Sequence, residues 1–344
     1  MRVVITGIGF FTSAGSVPAD LLMSATAEVR EKPQVLAGGI TGYRIDEKQA
    51  VRFVPRKHLR KMDRLSIMTT AAISNALSDA CIEVPNDNVG LVLDTGFGSA
   101  GSVSLVLEGI FGDEPKVSPL LFPNVVANAA AGQAAIAFGL RGPSSMLGGL
   151  GSLLYAFDLI RSGKATQLVV GGCDEITKIY ARSLVEQGIL SDAFFVGEGT
   201  AVFVLESDAF AKTRNARIYA EVQSVEMKVD FGYRPEGESA YAGSGIDTVI
   251  DRSVGTDTID VFIGAGLEHQ SLQKLERQYS SKLGVRKAIW PKSWTGEMFA
   301  CSSALNIILG SILLYTHDTY HRVLSVSYDV TRGQSMAAVL KRYD

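Results

Sequence analysis

The side chains in this sequence best suited to covalent chemistry are three cysteines, Cys81, Cys173 and Cys301. A cysteine accepts an acyl group only as a thiolate, so it needs a base or another source of positive potential beside it. Cys301 follows Glu297 by four residues, but no histidine lies close to it in the sequence. By residue type alone all three read as buried free thiols, because cysteine is among the most buried residues. They are too few and too scattered for a disulfide framework, which points to a reducing, cytoplasmic setting. No Cys-x-x-Cys or His-rich spacing suggests a metal site, and no motif calls for a cofactor. The basic run Arg56-Lys57-His58-Leu59-Arg60-Lys61 reads as a solvated helix start, with an acidic partner protein as the alternative.

These groups must be held by regular elements. Apolar and β-branched runs predict strands at 3–6, 89–93, 167–171 and 200–205, and three- and four-residue spacing predicts helices at 62–80, 127–138 and 149–161. A second set follows, with strands at 259–263 and 337–341 and helices near 268–281 and 301–316. Such alternation predicts a layered α/β fold. Segments 30–50 and 226–256, rich in Gly, Ser, Asp and Glu, are expected to be the least regular. Gly151-Ser152-Leu153-Leu154-Tyr155 is echoed by Gly310-Ser311-Ile312-Leu313-Leu314-Tyr315, consistent with a duplicated unit whose halves meet near residue 206.

With 344 residues, 47% of them hydrophobic, the chain can bury one large core or two fused halves. A net charge of -3 gives no reason to expect nucleic acid or an anionic membrane as partner. Val3-Val4-Ile5-Thr6, followed by Gly7 and Gly9, reads as a buried strand and turn rather than a signal-peptide core. No apolar run is long enough to span a bilayer.

Several motifs in fixed order carry a resemblance. They are Val3-Val4-Ile5-Thr6-Gly7-Ile8-Gly9, Lys61-Met62-Asp63-Arg64, Ser118-Pro119, Asn128, Gly132, and Gly139-Leu140-Arg141-Gly142-Pro143-Ser144. Ile160-Arg161-Ser162-Gly163, Gly171-Gly172-Cys173-Asp174-Glu175 and Gly197-Glu198-Gly199-Thr200 continue the series. Over nearly its whole length the chain resembles the β-ketoacyl synthases of the thiolase superfamily. The resemblance implies a five-layer αβαβα fold, usually dimeric, with similar halves at 1–205 and 206–344.

Chemistry in that family uses a cysteine and two histidines, and at none of the three positions does this sequence match. Counting back from Ile160-Arg161-Ser162-Gly163 places the nucleophile at Met146; the segment is also short, so the position is either replaced by Met146 or deleted. A thioether has no proton to lose and is a poor acyl acceptor. Ala265 stands in the turn after strand 259–263 where the first histidine belongs, and His269 reads as a surface or cap residue. Within Lys292-Ser293-Trp294-Thr295-Gly296-Glu297, Glu297 replaces the second histidine, and a carboxylate there would repel a developing anion. Lys292 is retained and is expected to hold Glu297. The family's gating loop falls at 328–334, where only Gly333 matches.

Together these losses make the chain similar to the chain-length factors of type II polyketide synthases, closer to the aryl-polyene kind than the aromatic kind. The resemblance implies a subunit that is not an enzyme alone and that pairs with an active ketosynthase, as a heterodimer or as a heterotetramer of two pairs. It also implies an acyl carrier protein as partner. Leu120, Leu121 and Phe122 are expected at the partner's acyl tunnel, and Asn128, Ala134 and Met146 at the interface. Two alternatives stay open: a divergent acyltransferase using Cys301 or a water, and a homodimeric acyl-binding scaffold.

Overall fold

The structure is a computed structural model and describes residues 1–26, 33–36, 40–112, 118–186, 195–230, 244–266, 270–329 and 331–344. The first strands are β1 (Val3–Thr12), β2 (Gln34–Val35), β3 (Thr41–Tyr43), β4 (Val89–Thr95), β5 (Ser144–Gly148), β6 (Gln167–Asp174), β7 (Val196–Gly197) and β8 (Gly199–Ser207). The later ones are β9 (Ala220–Val229), β10 (Val261–Ile263), β11 (Lys287–Ile289), β12 (Arg322–Asp329) and β13 (Gln334–Lys341).

Ten of these strands form one mixed sheet in the order β11-β10-β12-β13-β9-β1-β8-β6-β4-β5. Two runs of five are concealed in that order. Numbering β1, β4, β5, β6 and β8 along the chain gives 3-2-4-5-1 from the outer edge inward, and β9 to β13 give the same order. The pairing senses match as well: the first strand of each run lies antiparallel to its fifth, and the second runs parallel to its third and fourth. Three residue pairs, Val3 to Val222, Val4 to Glu221 and Ile5 to Ala220, join the two runs.

Helices fill the layers between and outside. Helix Ala300–Thr316 touches β6 and β8 on one side and β12 and β13 on the other, so it lies between the two runs together with helix Ser152–Arg161. Helices Arg64–Asp79 and Ala129–Phe138 cover the outside of the first run, and helices Ser244–Val254 and Gln270–Lys282 cover the second. Strands β1, β4, β6 and β8 are therefore buried on both faces, which explains their continuous apolar runs. Gly9 lets helix Arg64–Asp79 lie directly on β1: a Cβ there would sit 2.1 Å from the Ala72 carbonyl oxygen.

Every strand and helix predicted from periodicity exists, most with slightly shifted ends, but no turn follows Thr6: β1 runs through Gly7 and Gly9 to Thr12, with a register shift against β8 between Ile5 and Gly7. Three further expectations need correction. Segment 226–256 is not irregular throughout, since β9 extends to Val229 and a helix covers Ser244–Val254. The Gly-Ser echo falls on topologically equivalent helices but not at equivalent depth, because Gly151 precedes one helix and Gly310 lies inside the other. Cys81 is exposed, at a residue with φ +54°, while Cys173 and Cys301 are buried. His269 and Val330 lie outside the described residues.

Candidate functional site

Two of the sequence motifs meet in a buried ion pair. Asp63 caps helix Arg64–Asp79 by accepting the Ser66 N–H at 2.9 Å. Arg64 then donates to both oxygens of Glu198, which is fully buried and also accepts the Ile45 and Ile176 N–H groups. This network fixes the start of β8 beside the end of β6.

The candidate centre lies where β4 and β6 end and helix Ala300–Thr316 begins. Asp174, buried at the end of β6, accepts from Thr95 Oγ1 and the N–H groups of Gly96, Phe97 and Ala300 at 2.9–3.1 Å. It thus ties the loop after β4 to the first turn of that helix. Burial pushes its carboxyl up to about 7, against the pull of these donors. Asp94, one strand over, accepts the Ser152 N–H at 2.8 Å and is likewise pushed up to about 7 by burial.

Lys292 and Glu297 lie on the opposite side of the same helix start. Lys292 Nζ donates to Glu297 Oε2 at 2.5 Å, and Glu297 Oε1 accepts the Phe299 N–H at 2.7 Å and Ser302 Oγ at 3.1 Å. Phe299 carries φ +49°, a conformation that disfavours a side chain, so the Glu297 and Asp174 acceptors on either side of it hold a strained turn. Its ring meets Phe97 and Tyr180 with centroids 5.0 and 5.2 Å away. Ala265, fully buried at the end of β10, gives its N–H to Glu276 Oε1 at 2.6 Å, and Trp290 Nε1 gives to Glu276 Oε2 at 2.8 Å. Glu276 is fully buried, and nothing in its sequence surroundings distinguished it.

Chemically, this centre holds carboxylates and one lysine. Among the described residues no histidine stands in it: His317 and His321 follow helix Ala300–Thr316, and His58 belongs to the short helix Arg56–Leu59. Burial drives the Cys301 and Cys173 thiols well up, with the Asp174 charge adding to the effect, so neither is poised as a thiolate.

Met146 does not sit at the junction between strand and helix. It is the third residue of β5, opposite Leu93 of β4, and packs toward Leu65, Met68, Ala130 and Cys173. The junction itself is Gly149-Leu150-Gly151. The segment is short because the strand runs almost directly into the helix.

Arg332 and Gln334, before and at the start of β13, lie against this junction. Arg332 Nη1 donates to Asp329 Oδ2 at 3.0 Å, and Arg332 Nη2 donates to the Gly96 carbonyl at 2.6 Å. Gln334 Oε1 accepts the Leu150 N–H at 3.0 Å. Arg332 and Gln334 were visible in the sequence only as departures from a glycine-rich loop.

Of the expected interface residues, Leu120 is 54% exposed and Phe122 68%, while Leu121 is half-buried and Asn128 exposed. Ala134 does not face outward. It is fully buried against the chain's own helix Arg64–Asp79, because helix Ala129–Phe138 packs its small residues there; Ile136, 66% exposed, points the other way. Strand β5 is the outer edge of the sheet, with Ser144 and Gly148 exposed.

Residues 1–211 match the β-ketoacyl synthase N-terminal domain family. The chain belongs to the β-ketoacyl synthase family. Among its relatives is 3-oxoacyl-acyl-carrier-protein synthase 2 of Synechocystis sp., 27% identical over 262 residues that cover 67% of this chain and 63% of that protein. The synthase of the same name from Staphylococcus aureus is 23% identical over 91% of this chain and 85% of that protein. Among solved structures, the ishigamide ketosynthase/chain length factor superposes with a TM-score of 0.82 at 20% identity, covering 100% of this chain and 99% of that one. A type II polyketide synthase acyl-carrier protein in complex with its ketosynthase gives 0.79 at 17% identity, with 99% of each chain covered. These likenesses confirm the thiolase-like ketosynthase fold. Among the described residues, no helix is long and apolar enough to cross a membrane.

Proposed function

We propose that this chain is a non-catalytic ketosynthase-like subunit, of the chain-length-factor kind, that pairs with an active β-ketoacyl synthase and shapes its acyl tunnel. One observation carries the reading. At the two positions where the sequence resemblance puts the family's histidines stand Glu297, in a buried pair with Lys292, and Ala265, whose N–H goes to the buried Glu276. A carboxylate beside a developing enolate raises the barrier that an imidazolium or neutral histidine lowers.

The surface supports the pairing. Phe111, Leu120, Phe122, Val126 and Ile136 are exposed apolar side chains on neighbouring elements, next to the open edge of β5. A patch of this kind beside an unpaired strand edge is what a large obligate interface covers. In this reading the partner is an active ketosynthase, the extending chain arrives on an acyl carrier protein, and Phe122 with Leu120 and Leu121 closes the end of the partner's tunnel. The repeated strand order supports residues 1–205 and 206–344 as the two halves.

A second reading, an active synthase, is favoured by the names of the curated relatives. One experiment separates the two. The purified chain is incubated with acyl- and malonyl-carrier-protein thioesters, alone and with a candidate ketosynthase, and followed by intact mass and carbon dioxide release. The non-catalytic reading expects no adduct on this chain in either case, and turnover only in a one-to-one complex. An acyl adduct on this chain would establish the second reading.

A further inference from the structure

The contact between Gln334 and Leu150 bears on how this chain treats an acyl ligand of its own. Backbone N–H groups at the start of helix Ser152–Arg161 are donors that a carbonyl oxygen would seek. Ser152 N–H is already taken by Asp94 at 2.8 Å. Leu150 N–H is taken by a carboxamide oxygen from a distant strand, Gln334 Oε1 at 3.0 Å. A carboxamide carbonyl is the neutral side-chain group closest in shape and polarity to a thioester carbonyl.

The seat for that carboxamide is built by three features. Gly149 has φ +101°, and a Cβ there would fall 1.8 Å from Gln334 Oε1, so only glycine admits the side chain. Arg332 lies over Gly148, with Nε 3.6 Å from where a Cβ of that glycine would be, and reaches the Gly96 carbonyl at 2.6 Å. Asp329, 3% exposed, holds the same guanidinium at 3.0 Å. Gln334 and Arg332 therefore pin one C-terminal segment onto the ends of β4 and β5 together.

We propose that Gln334 is a built-in latch: its carboxamide occupies the Leu150 N–H as a surrogate carbonyl and keeps the strand–helix junction of this subunit closed to acyl thioesters. The latch deepens the non-catalytic reading and rests on it, since it assigns the empty half of the pair a site that is shut rather than merely lacking a nucleophile. Acyl chains are thereby confined to the partner's tunnel.

The test uses the full chain without a partner, with octanoyl-N-acetylcysteamine as the thioester probe. Amide hydrogen exchange is read at Leu150 in the wild type, in Gln334→Ala and in Gln334→Asn, whose shorter side chain keeps the amide but cannot reach. The wild type is expected to show slow exchange that the probe does not change. Both variants should exchange about tenfold faster at Leu150, as for one lost hydrogen bond, and regain protection when the probe is added. Exchange unchanged in both variants overturns the latch. Faster exchange without probe-dependent protection overturns the assignment of the junction as a carbonyl site. An acyl adduct on the wild-type chain would instead count against the non-catalytic reading, and mass distinguishes that outcome from either of the others.

Discussion

Lys292 Nζ lies 2.5 Å from Glu297 Oε2, with the two side chains only 6% and 2% exposed. Burial pushes the Glu297 carboxyl up, and the lysine charge pulls it back. Removing one partner strands the other charge in the interior. Lys292→Met should therefore destabilise the chain by about 3–5 kcal/mol, whereas Lys292→Met with Glu297→Leu should cost far less than the sum of the two single changes. Denaturant unfolding of the four proteins measures this, and additive losses would show that the pair is not coupled.

The Asp94 carboxyl is pushed by burial from 3.8 to about 7. The folded chain thus holds this proton more tightly than the unfolded one. Its contribution to stability is complete below about pH 4 and is lost as the pH rises toward 7, at no more than about 1.4 kcal/mol per pH unit. Melting temperatures across pH 4–8 should fall less steeply for Asp94→Asn than for the wild type. An identical slope would mean that Asp94 titrates normally.

Cys81 is exposed, and Cys173 and Cys301 are buried with thiols driven up. A maleimide should add once to the native protein, at Cys81, and three times in denaturant. Peptide mapping that finds Cys301 modified in the native state would revive it as a nucleophile.

Phe122 is 68% exposed in the isolated chain and Ala134 is fully buried. Phe122→Ala should change the melting point of the isolated chain little, well below the ~3–5 kcal/mol of a core phenylalanine, and should lengthen products in the complex. Ala134→Arg should unfold the chain rather than weaken pairing, because a guanidinium would enter the packed seam with helix Arg64–Asp79. Ile136→Asp should do the reverse, leaving stability intact and reducing co-purification with a ketosynthase. Unaltered product length with unaltered pairing would remove this surface from the tunnel and the interface alike.

Much of the fold was readable because β1, β4, β6 and β8 are buried on both faces, which writes each of them as a continuous apolar run. Glu297 was assigned from an almost intact local motif, Lys292-Ser293-Trp294-Thr295-Gly296, and Ala265 from its place after a strand and before the retained Gly266. Met146 was harder to place: counting assumed the usual segment length, and the strand here runs almost directly into its helix. Ala134 was misassigned because a stripe of small residues suits a close approach within one chain as well as between two. The contacts of Glu276 with Gly266, Gln334 with Leu150 and Arg332 with Gly96 span 10 to 236 positions, which no local pattern encodes.

The repeated strand order also bears on how the chain is made. β1 is synthesised nearly two hundred residues before its long antiparallel neighbour β8, with Val3 opposite Ser207 and Thr12 opposite Gly199. Its other neighbour, β9, comes later still. Ten consecutive residues that end up buried, most of them apolar, are therefore made long before the strand that pairs with them. Contacts of such long sequence separation form slowly and leave nascent strands open to mispairing. Slower synthesis or added chaperone is therefore expected to raise the folded yield of this protein, measured as soluble chain per cell.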